Sequence, residues 1–527
     1  MQSALPMKLP RYFSFFLPII LSFSFPLATQ AFSSAQLVAA NAQQHTAPAW
    51  HAPMSLPTQA TATRRYATAP ADFPVITVTV PASNTAERHI FLATFAGAKP
   101  PYLLILDPKG EPVYYERLPA GKVVTDFKRQ SNGNLTYFIG DSALGGGAGE
   151  FRELDASYQL THMWQAQNGV DADNHDLQIL PNGNALMVAY ERKPRDLSAI
   201  GGLTNTLFAD CLVQEISPSG ALVWEWRQSD HIPITDTYEI ITGTTADPYH
   251  MNAVELDLDG NVLVSSRHLS EITKINRATG EVMWRLGGKG NVFTFTNDSG
   301  FSYQHDIRRL SNGHITLWDN GVQKSPQYSR AVEYEIDETT KTITRVWEYR
   351  ETPDVFSFFM GNVQRLANGN SFLGWGGPKN LINEVGADGS KRFELTVDSS
   401  AGFIYRAFRF PWQATPVTTP TLVLTDAIAG TSALHFSWNG ATDITDYRIE
   451  GWNRSKTLTF TNTISRTGFE NSVLVSNLPE FTCYYRVMPL KNGSDTRYSD
   501  VIYRGGDICD AQLSFTLYLP FTAAGNQ

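Results

Sequence analysis

A turn of one chemistry recurs five times along this chain, at Asn132-Gly133, Asn182-Gly183, Asp259-Gly260, Asn312-Gly313 and Asn368-Gly369. Each lies between two apolar runs of strand length. Asn-Gly and Asp-Gly favour positive φ, so the expected connection is a two-residue type I′ hairpin turn, whose twist matches its strands. A second hairpin alternates with the first. It appears at Leu106 to Gly110 before Tyr114, Leu154-Asp155 before Trp164, and Ile216 to Gly220 before Trp224. It recurs at Ile275 to Gly280 before Trp284, Ile336-Asp337 before Trp347, and Val385 to Gly389 before Phe393. With a degenerate first hairpin around Glu87 to Phe95, the pattern is four antiparallel strands in about fifty residues, repeated six times. The chain therefore reads as all-β, a six-bladed β-propeller over residues 73–412, with Phe73 to Pro81 closing it. Antiparallel strands disfavour the alternative, a parallel β-solenoid.

Three histidines share one phase of this repeat. They open Asn174-His175-Asp176-Leu177, His250-Met251-Asn252-Ala253 and Gln304-His305-Asp306-Ile307. Counting outward from two-residue turns puts Asn252 opposite Arg267, His305 opposite Asn320 and His175 opposite Tyr190. His250 lies two residues from Asn252, on the same face. If these strands are innermost, His175, His250, Asn252, Arg267 and His305 share a cationic, hydrogen-bonding pocket at one mouth of a central channel.

A lone strand histidine is usually a satisfied polar group; three at one phase, with an arginine beside them, suit a transferable anion. A neutral imidazole can attack sulfur or phosphorus and divide a transfer into two steps. Arg267 and Asn252 would hold the equatorial oxygens while a second histidine protonates the leaving oxygen. Alternation turns Asp176 and Asp306 away from the pocket. Asn320 reads as a turn residue. His51, His89, His162, His231, His268, His314 and His435 read as surface or packing residues. A three-histidine zinc or copper site competes with this reading, and Arg267 disfavours it. The anion-transfer reading requires no cofactor.

The remaining segments bound the setting. Lys8 and Arg11 precede an apolar stretch, Tyr12 to Leu27, interrupted by Pro18 and Pro26. Small-residue contexts follow at Thr29-Gln30-Ala31 and Ala40-Asn41-Ala42, so residues 1–31 read as an export signal. The stretch is too short and broken for a good membrane span. No span is expected after cleavage, and the location is extracytoplasmic: periplasmic, secreted or cell-surface. Residues 32–72, rich in Ala, Thr, Gln and Pro, read as a disordered spacer. A formal net charge of -9 without a basic run argues against nucleic acid. Cys483 and Cys509 could pair, leaving Cys211 alone. Residues 413–421 read as a linker. Residues 422–504, with Trp438, Tyr447 and a tyrosine entering a strand after a turn, resemble a fibronectin type III sandwich with Tyr484 as its tyrosine corner. Residues 505–527 are an unassigned tail.

From Ile90-Phe91-Leu92 through Trp375-Gly376-Gly377 the chain resembles the bacterial arylsulfotransferase (aryl-sulfate sulfotransferase) family. The matching segments include Asp173-Asn174-His175-Asp176, His250-Met251-Asn252, Ser265-Ser266-Arg267-His268, Gly280 to Gly288, Gln304-His305-Asp306 and Trp318-Asp319-Asn320-Gly321. The resemblance implies transfer of a sulfuryl group from an aryl sulfate ester to a phenolic acceptor, both small molecules, without a nucleotide donor and by a ping-pong mechanism. It implies transient sulfation of His305, with His250, Asn252 and Arg267 stabilising the group and His175 or His250 as acid/base. Some members carry an N-terminal β domain used in dimerisation. Here only Phe73 to Pro81 precedes the repeats, so dimerisation does not carry over. Two further readings fit the pocket: a non-catalytic propeller that binds an anion, and a metal- or quinone-dependent propeller enzyme.

Overall fold

The computed structural model describes residues 66–426, 432–475, 479, 482–495, 497–504 and 509. The export signal, the spacer up to residue 65, His51 and the tail apart from Cys509 lie outside the described residues.

The recurring turns are three-residue loops, not two-residue type I′ turns. Asp257 N donates to Asn261 O at 2.8 Å, and Gly260 N to Asp257 O at 2.9 Å. The same two bonds close Gln130 to Asn134, Leu180 to Asn184, Leu310 to His314 and Leu366 to Asn370. Of each Asn/Asp-Gly pair only the glycine has positive φ, from 82° at Gly260 to 94° at Gly133. The preceding Asn or Asp instead accepts, through Oδ1, the amide two residues on. This is a type I turn followed by a left-handed glycine, with the Asn/Asp chosen for its side-chain bond to the backbone.

The hairpins assemble antiparallel sheets. Gly402–Phe410 pairs with His89–Ala96, which continues to Tyr102–Leu106 and Pro112–Arg117. A strand from the end of the repeat region therefore completes the sheet at its start, with Phe408 opposite Phe91. Val123–Arg129, Leu135–Ala143, Gly146–Leu154 and Leu160–Trp164 follow. Asp171–Ile179, Ala185–Arg195, Thr206–Ile216 and Leu222–Arg227 form the next set. The two sets are joined where Gly149 pairs with Ala172. Met251–Leu256, Val262–Ser266, Glu271–Ile275 and Val282–Gly287 make another sheet. His305–Arg309, Ile315–Asp319, Arg330–Asp337 and Thr342–Tyr349 make the next, extended by the short Thr294–Phe295.

The last sheet of the repeat region is Asn362–Arg365, Ser371–Gly374, Leu381–Val385 and Lys391–Val397, flanked by Ile76–Val80. Two expectations change here. Ile76–Val80 adds to the outer strand Lys391–Val397 and does not close the repeat. His89–Ala96 is a single strand, not half of a degenerate hairpin, because its inner partner comes from residues 402–410. A pattern read locally cannot see a partner 300 residues away.

Apolar clusters lie between successive sheets. Leu263 and Leu286 pack with Leu317 and Tyr334 of the next sheet. Trp318 meets Trp375 edge-on, with ring centroids 4.8 Å apart. Burying each such large side chain favours folding by roughly 1.5–3 kcal/mol.

The C-terminal region has two sheets. Thr421–Asp426, Ser432–Ser437 and Asn471–Leu474 form one; Asp446–Trp452, Leu458–Ser465, Tyr484–Lys491, Ser494–Asp495 and Ile502–Tyr503 form the other. They enclose Trp438, Tyr447, Ile449, Tyr485 and Val487. Strand alternation turns Tyr485, not Tyr484, inward, and its hydroxyl donates to Thr482 O at 3.2 Å. Cys483 and Cys509 form a disulfide, and Cys211 is a buried free thiol. The spacer reading also ends earlier than expected. Tyr66 packs edge-on against Phe73 and Phe469, and Thr68 N donates to Glu470 Oε2 at 2.6 Å. Among the described residues no helix is long and apolar enough to cross a membrane.

Candidate active site

The strands that carry the histidines are irregular where the histidines sit. Pairing shifts between Met251 and Ala253, between His305 and Arg308, and across the stretch from Ala172 to Leu177. Non-glycine residues with positive φ cluster here: His250 (52°), Tyr303 (55°), Asp306 (58°) and Met360 (65°). Each costs on the order of 1–3 kcal/mol, and such strain concentrates at functional sites, where bulges re-aim side chains.

The bulges and the three-residue loops together overturn the counted register. Arg267 N donates to His250 O at 3.0 Å, so His250, not Asn252, stands opposite Arg267. His305 pairs with Trp318 rather than Asn320, and Asp171 rather than His175 pairs with Tyr190. Counting from a turn assumes an unbroken ladder, and each extra residue moves every later pair.

The imidazoles nevertheless meet. The rings of His175 and His250 are 4.9 Å apart, and those of His250 and His268 are 4.6 Å apart. The Tyr405 ring lies between His175 and His305, at 5.5 and 6.3 Å. His175 and His305 are almost fully buried. Burial first, and then the charge of Arg267, hold the His305 pKa well below its ordinary value. Burial, followed by the neighbouring His175 and Arg267, does the same for His250.

Hydrogen bonds fix the His305 tautomer. Asn320 Nδ2 donates to Ser357 O at 2.7 Å and Met360 O at 3.0 Å, which turns Oδ1 toward His305. That oxygen lies 2.7 Å from His305 Nδ1, which must carry the proton. Nε2 is then a lone pair, and Met360 N donates to it weakly at 3.2 Å. The other two histidines have carboxylate partners: His175 Nδ1 meets Asp173, and His250 Nδ1 lies 2.6 Å from Asp247 Oδ2.

Arg267 is a half-buried cation in an unusual setting. Its Nη1 donates to His268 Nε2 at 2.7 Å and its Nη2 to Phe358 O at 2.9 Å, while the guanidinium lies over the Tyr303 ring. Its Nε is buried without a hydrogen-bond partner. Among the described residues Arg267 makes no ion pair. Asn252 is fully buried, and its Nδ2 donates to Gln304 O at 2.7 Å, tying Met251–Leu256 to the residue before His305.

Asp176 and Asp306 lie beneath this pocket and bond to none of its imidazoles. With Asp126 they form a buried ion network. Arg406 lies 3.1, 3.2 and 3.3 Å from Asp126, Asp176 and Asp306. Arg308 reaches Asp176 at 2.9 Å and Asp306 at 2.8 Å; Lys128 reaches Asp126 at 2.8 Å and Asp176 at 2.7 Å. Burial raises the pKa of Asp176, but Arg308, Lys128 and Arg406 overcome it and hold the carboxyl ionised.

Several residues here escaped sequence reasoning. His268, set aside as packing, touches both His250 and Arg267, because the turn Arg267–Leu269 folds it back into the pocket. Its adjacency to Arg267 was the available clue. Asp173 stands two residues before His175, on the face that strand alternation assigns to it. Asn320 read as a turn residue and is instead the partner of His305. Asp247, His250 and His268 bring ligand atoms within 4.8 Å of one another, a spacing that could hold a metal ion. Both imidazole Nδ1 atoms are spent on Asp247, however, and the Arg267 cation occupies His268 Nε2. This donor set fits an anion better than a metal.

A family model described as Arylsulfotransferase (ASST) matches residues 130–398, just over half of the chain. Arylsulfate sulfotransferase AssT of Escherichia coli O6:H1 is 29% identical over 171 residues, 25% of this chain and 28% of that protein. The Lelliottia amnigena protein of that name is 30% identical over 175 residues, 26% of this chain and 29% of its own. The chain thus spans under a third of the curated relatives it matches. Among solved structures, a protein of unknown function from Bacteroides caccae aligns with TM-score 0.41 and 14% identity over 62% of this chain and 99% of its own. Virginiamycin B lyase from Staphylococcus aureus aligns with TM-score 0.33 and 11% identity over 68% and 95%. Because that family model matches more than half of the chain, the chain belongs to the arylsulfotransferase family.

Proposed function

We propose that this protein is an exported arylsulfotransferase that moves a sulfuryl group from an aryl sulfate ester to a phenolic acceptor through a sulfohistidine on His305. Its catalytic domain is a closed six-bladed propeller over residues 73–412. The pairing of Gly402–Phe410 with His89–Ala96 supports that closure. A fibronectin type III-like module over residues 422–504 follows it. The observation that carries the functional reading is the His305 tautomer: an Nε2 lone pair engaged only by the weak Met360 N–H, in a pocket whose arginine makes no ion pair among the described residues.

In the first half-reaction the Nε2 lone pair forms an N–S bond as the ester S–O bond breaks. The aryloxide leaves with that electron pair and is protonated by water. Met360 N gives up its weak bond as sulfur arrives. The Nδ1–H bond to Asn320 stabilises the charge that develops on the ring, and Arg267 holds the sulfuryl oxygens. In the second half the acceptor phenol yields its proton to His175 or His250, each paired with a carboxylate. Its oxygen bonds to sulfur, and the N–S electron pair returns to His305. Asn252 supports the site by fixing the backbone at Gln304.

Incubation with an aryl sulfate and no acceptor should leave one sulfuryl group on a His305 peptide, removed when a phenol is added. Wild-type protein that carries no adduct and transfers to no phenol, or a His305→Ala variant as active as wild type, would overturn the reading.

A further inference from the structure

Arg267 is held by groups that take none of its charge. A half-buried guanidinium commonly finds a carboxylate, and a fixed bidentate pair would make it useless for binding an incoming anion. Here one side of the fork ends on a backbone carbonyl, Phe358 O, and the other on an imidazole nitrogen, His268 Nε2. The state of that imidazole follows from its second contact. His268 Nδ1 lies 2.6 Å from Asp247 O, a carbonyl that can only accept, so Nδ1 carries the proton and Nε2 presents its lone pair to Arg267. The ring itself is fixed by its backbone. His268 N donates to Tyr249 O at 3.0 Å, and His268 O accepts Tyr238 N at 3.0 Å. Asp247 also serves His250 through Oδ2, so one residue orients both a candidate proton-transfer histidine and the support of the arginine.

We propose that His268 is a positioning residue that holds the Arg267 guanidinium through a neutral acceptor, leaving its full charge and its unpartnered Nε–H for the oxygens of the bound sulfuryl group. The inference rests on the proposed function above and assigns His268 a role by way of Arg267, without contact to the reacting atoms. It requires two properties of residue 268 at once: a hydrogen-bond acceptor where Nε2 stands, and no negative charge.

Three variants separate those requirements. His268→Gln keeps an uncharged acceptor, its amide oxygen reaching about where Nε2 stood. His268→Ala removes the acceptor. His268→Glu supplies an acceptor that pairs with and neutralises the arginine. Binding of inorganic sulfate, measured by calorimetry, reads the arginine's availability without turnover; KM and kcat for a chromogenic aryl sulfate read it during transfer. Losing a well-aimed charge-assisted bond should weaken sulfate binding and raise KM by about tenfold or more in Ala and Glu. Gln should stay within about threefold of wild type. Thermal unfolding of each variant checks that the fold is intact, and the Gln–Glu comparison stands should Ala not fold.

A Glu variant that binds sulfate as well as the Gln variant overturns the inference, as does an Ala variant indistinguishable from wild type. Wild-type protein that binds sulfate through Arg267 but transfers nothing overturns the proposed function alone, and the binding series still decides the role of His268.

Discussion

Replacing Asn320 by alanine should slow the first half-reaction while leaving substrate affinity nearly unchanged. The side chain makes three bonds: Oδ1 accepts from His305 Nδ1 at 2.7 Å, and Nδ2 donates to Ser357 O at 2.7 Å and Met360 O at 3.0 Å. Ser357 O keeps a second donor, Ser329 Oγ at 3.0 Å, so truncation orphans two buried groups, His305 Nδ1–H and Met360 O. At about 1–3 kcal/mol for each unsatisfied group, the fold should lose roughly 2–6 kcal/mol. The kinetic loss has a different origin. As Nε2 bonds to sulfur the ring becomes cationic, and the Nδ1–H bond strengthens from neutral to charge-assisted. Removing it should cost about 1.5–3 kcal/mol in the transition state, a rate loss of roughly 10- to 150-fold. Rapid mixing with a chromogenic aryl sulfate in the absence of acceptor isolates this step as a burst of phenol, and urea unfolding reports the fold. A folded Asn320→Ala protein with a wild-type burst rate would refute the assignment of Asn320 as the partner of the nucleophile, and a loss confined to KM would do the same.

Three further outcomes follow from the structure. Burial and the charge of Arg267 depress the His305 pKa, so kcat/KM should stay flat down through pH 6.5 and fall only in more acidic buffer, and Arg267→Met should move that limb upward; a wild-type limb at or above 6.5 would contradict this. The sign for stability is the same: His250, His268 and His305 remain neutral in the fold at pH values where the unfolded chain protonates them, so the urea midpoint should drop as pH falls below 6.5. Arg406→Met strands Asp126, Asp176 and Asp306 without their shared cation and should cost about 3–5 kcal/mol of stability by urea unfolding. Asp126→Asn in that background should recover part of the loss; a further, additive loss would show that the network is not one unit.

The repeat was legible because its turns carry their own chemistry. Asn132, Asn182, Asp259, Asn312 and Asn368 each accept a backbone amide two residues on, so the same dipeptide returns wherever the hairpin returns. The type of turn was less legible. Asn-Gly suits both a two-residue and a three-residue loop, and only the bond between Asp257 N and Asn261 O distinguishes them. The expected site fared in the same way. His175, His250 and His305 come together, yet the pairings that were to bring them together differ, because a bulge changes register without changing composition. His268 and Asn320 were misread because each lies just past the end of a strand, where strand phase no longer says which way a side chain points.

What the sequence by itself determined is the repeated hairpin, its all-β character and the phase that carries three histidines. These are local properties, set by φ preferences and apolar alternation within a dozen residues. Only the tertiary structure decided that residues 402–410 complete the first sheet and that the outer strand Ile76–Val80 does not. It also decided that Asn320 sets the proton on His305 and that a neutral histidine holds Arg267. Those outcomes depend on how the folded chain turns each side chain onto a partner within 3 Å, whether that partner is far along the sequence or adjacent, and on the low dielectric of the interior, which makes each such contact count.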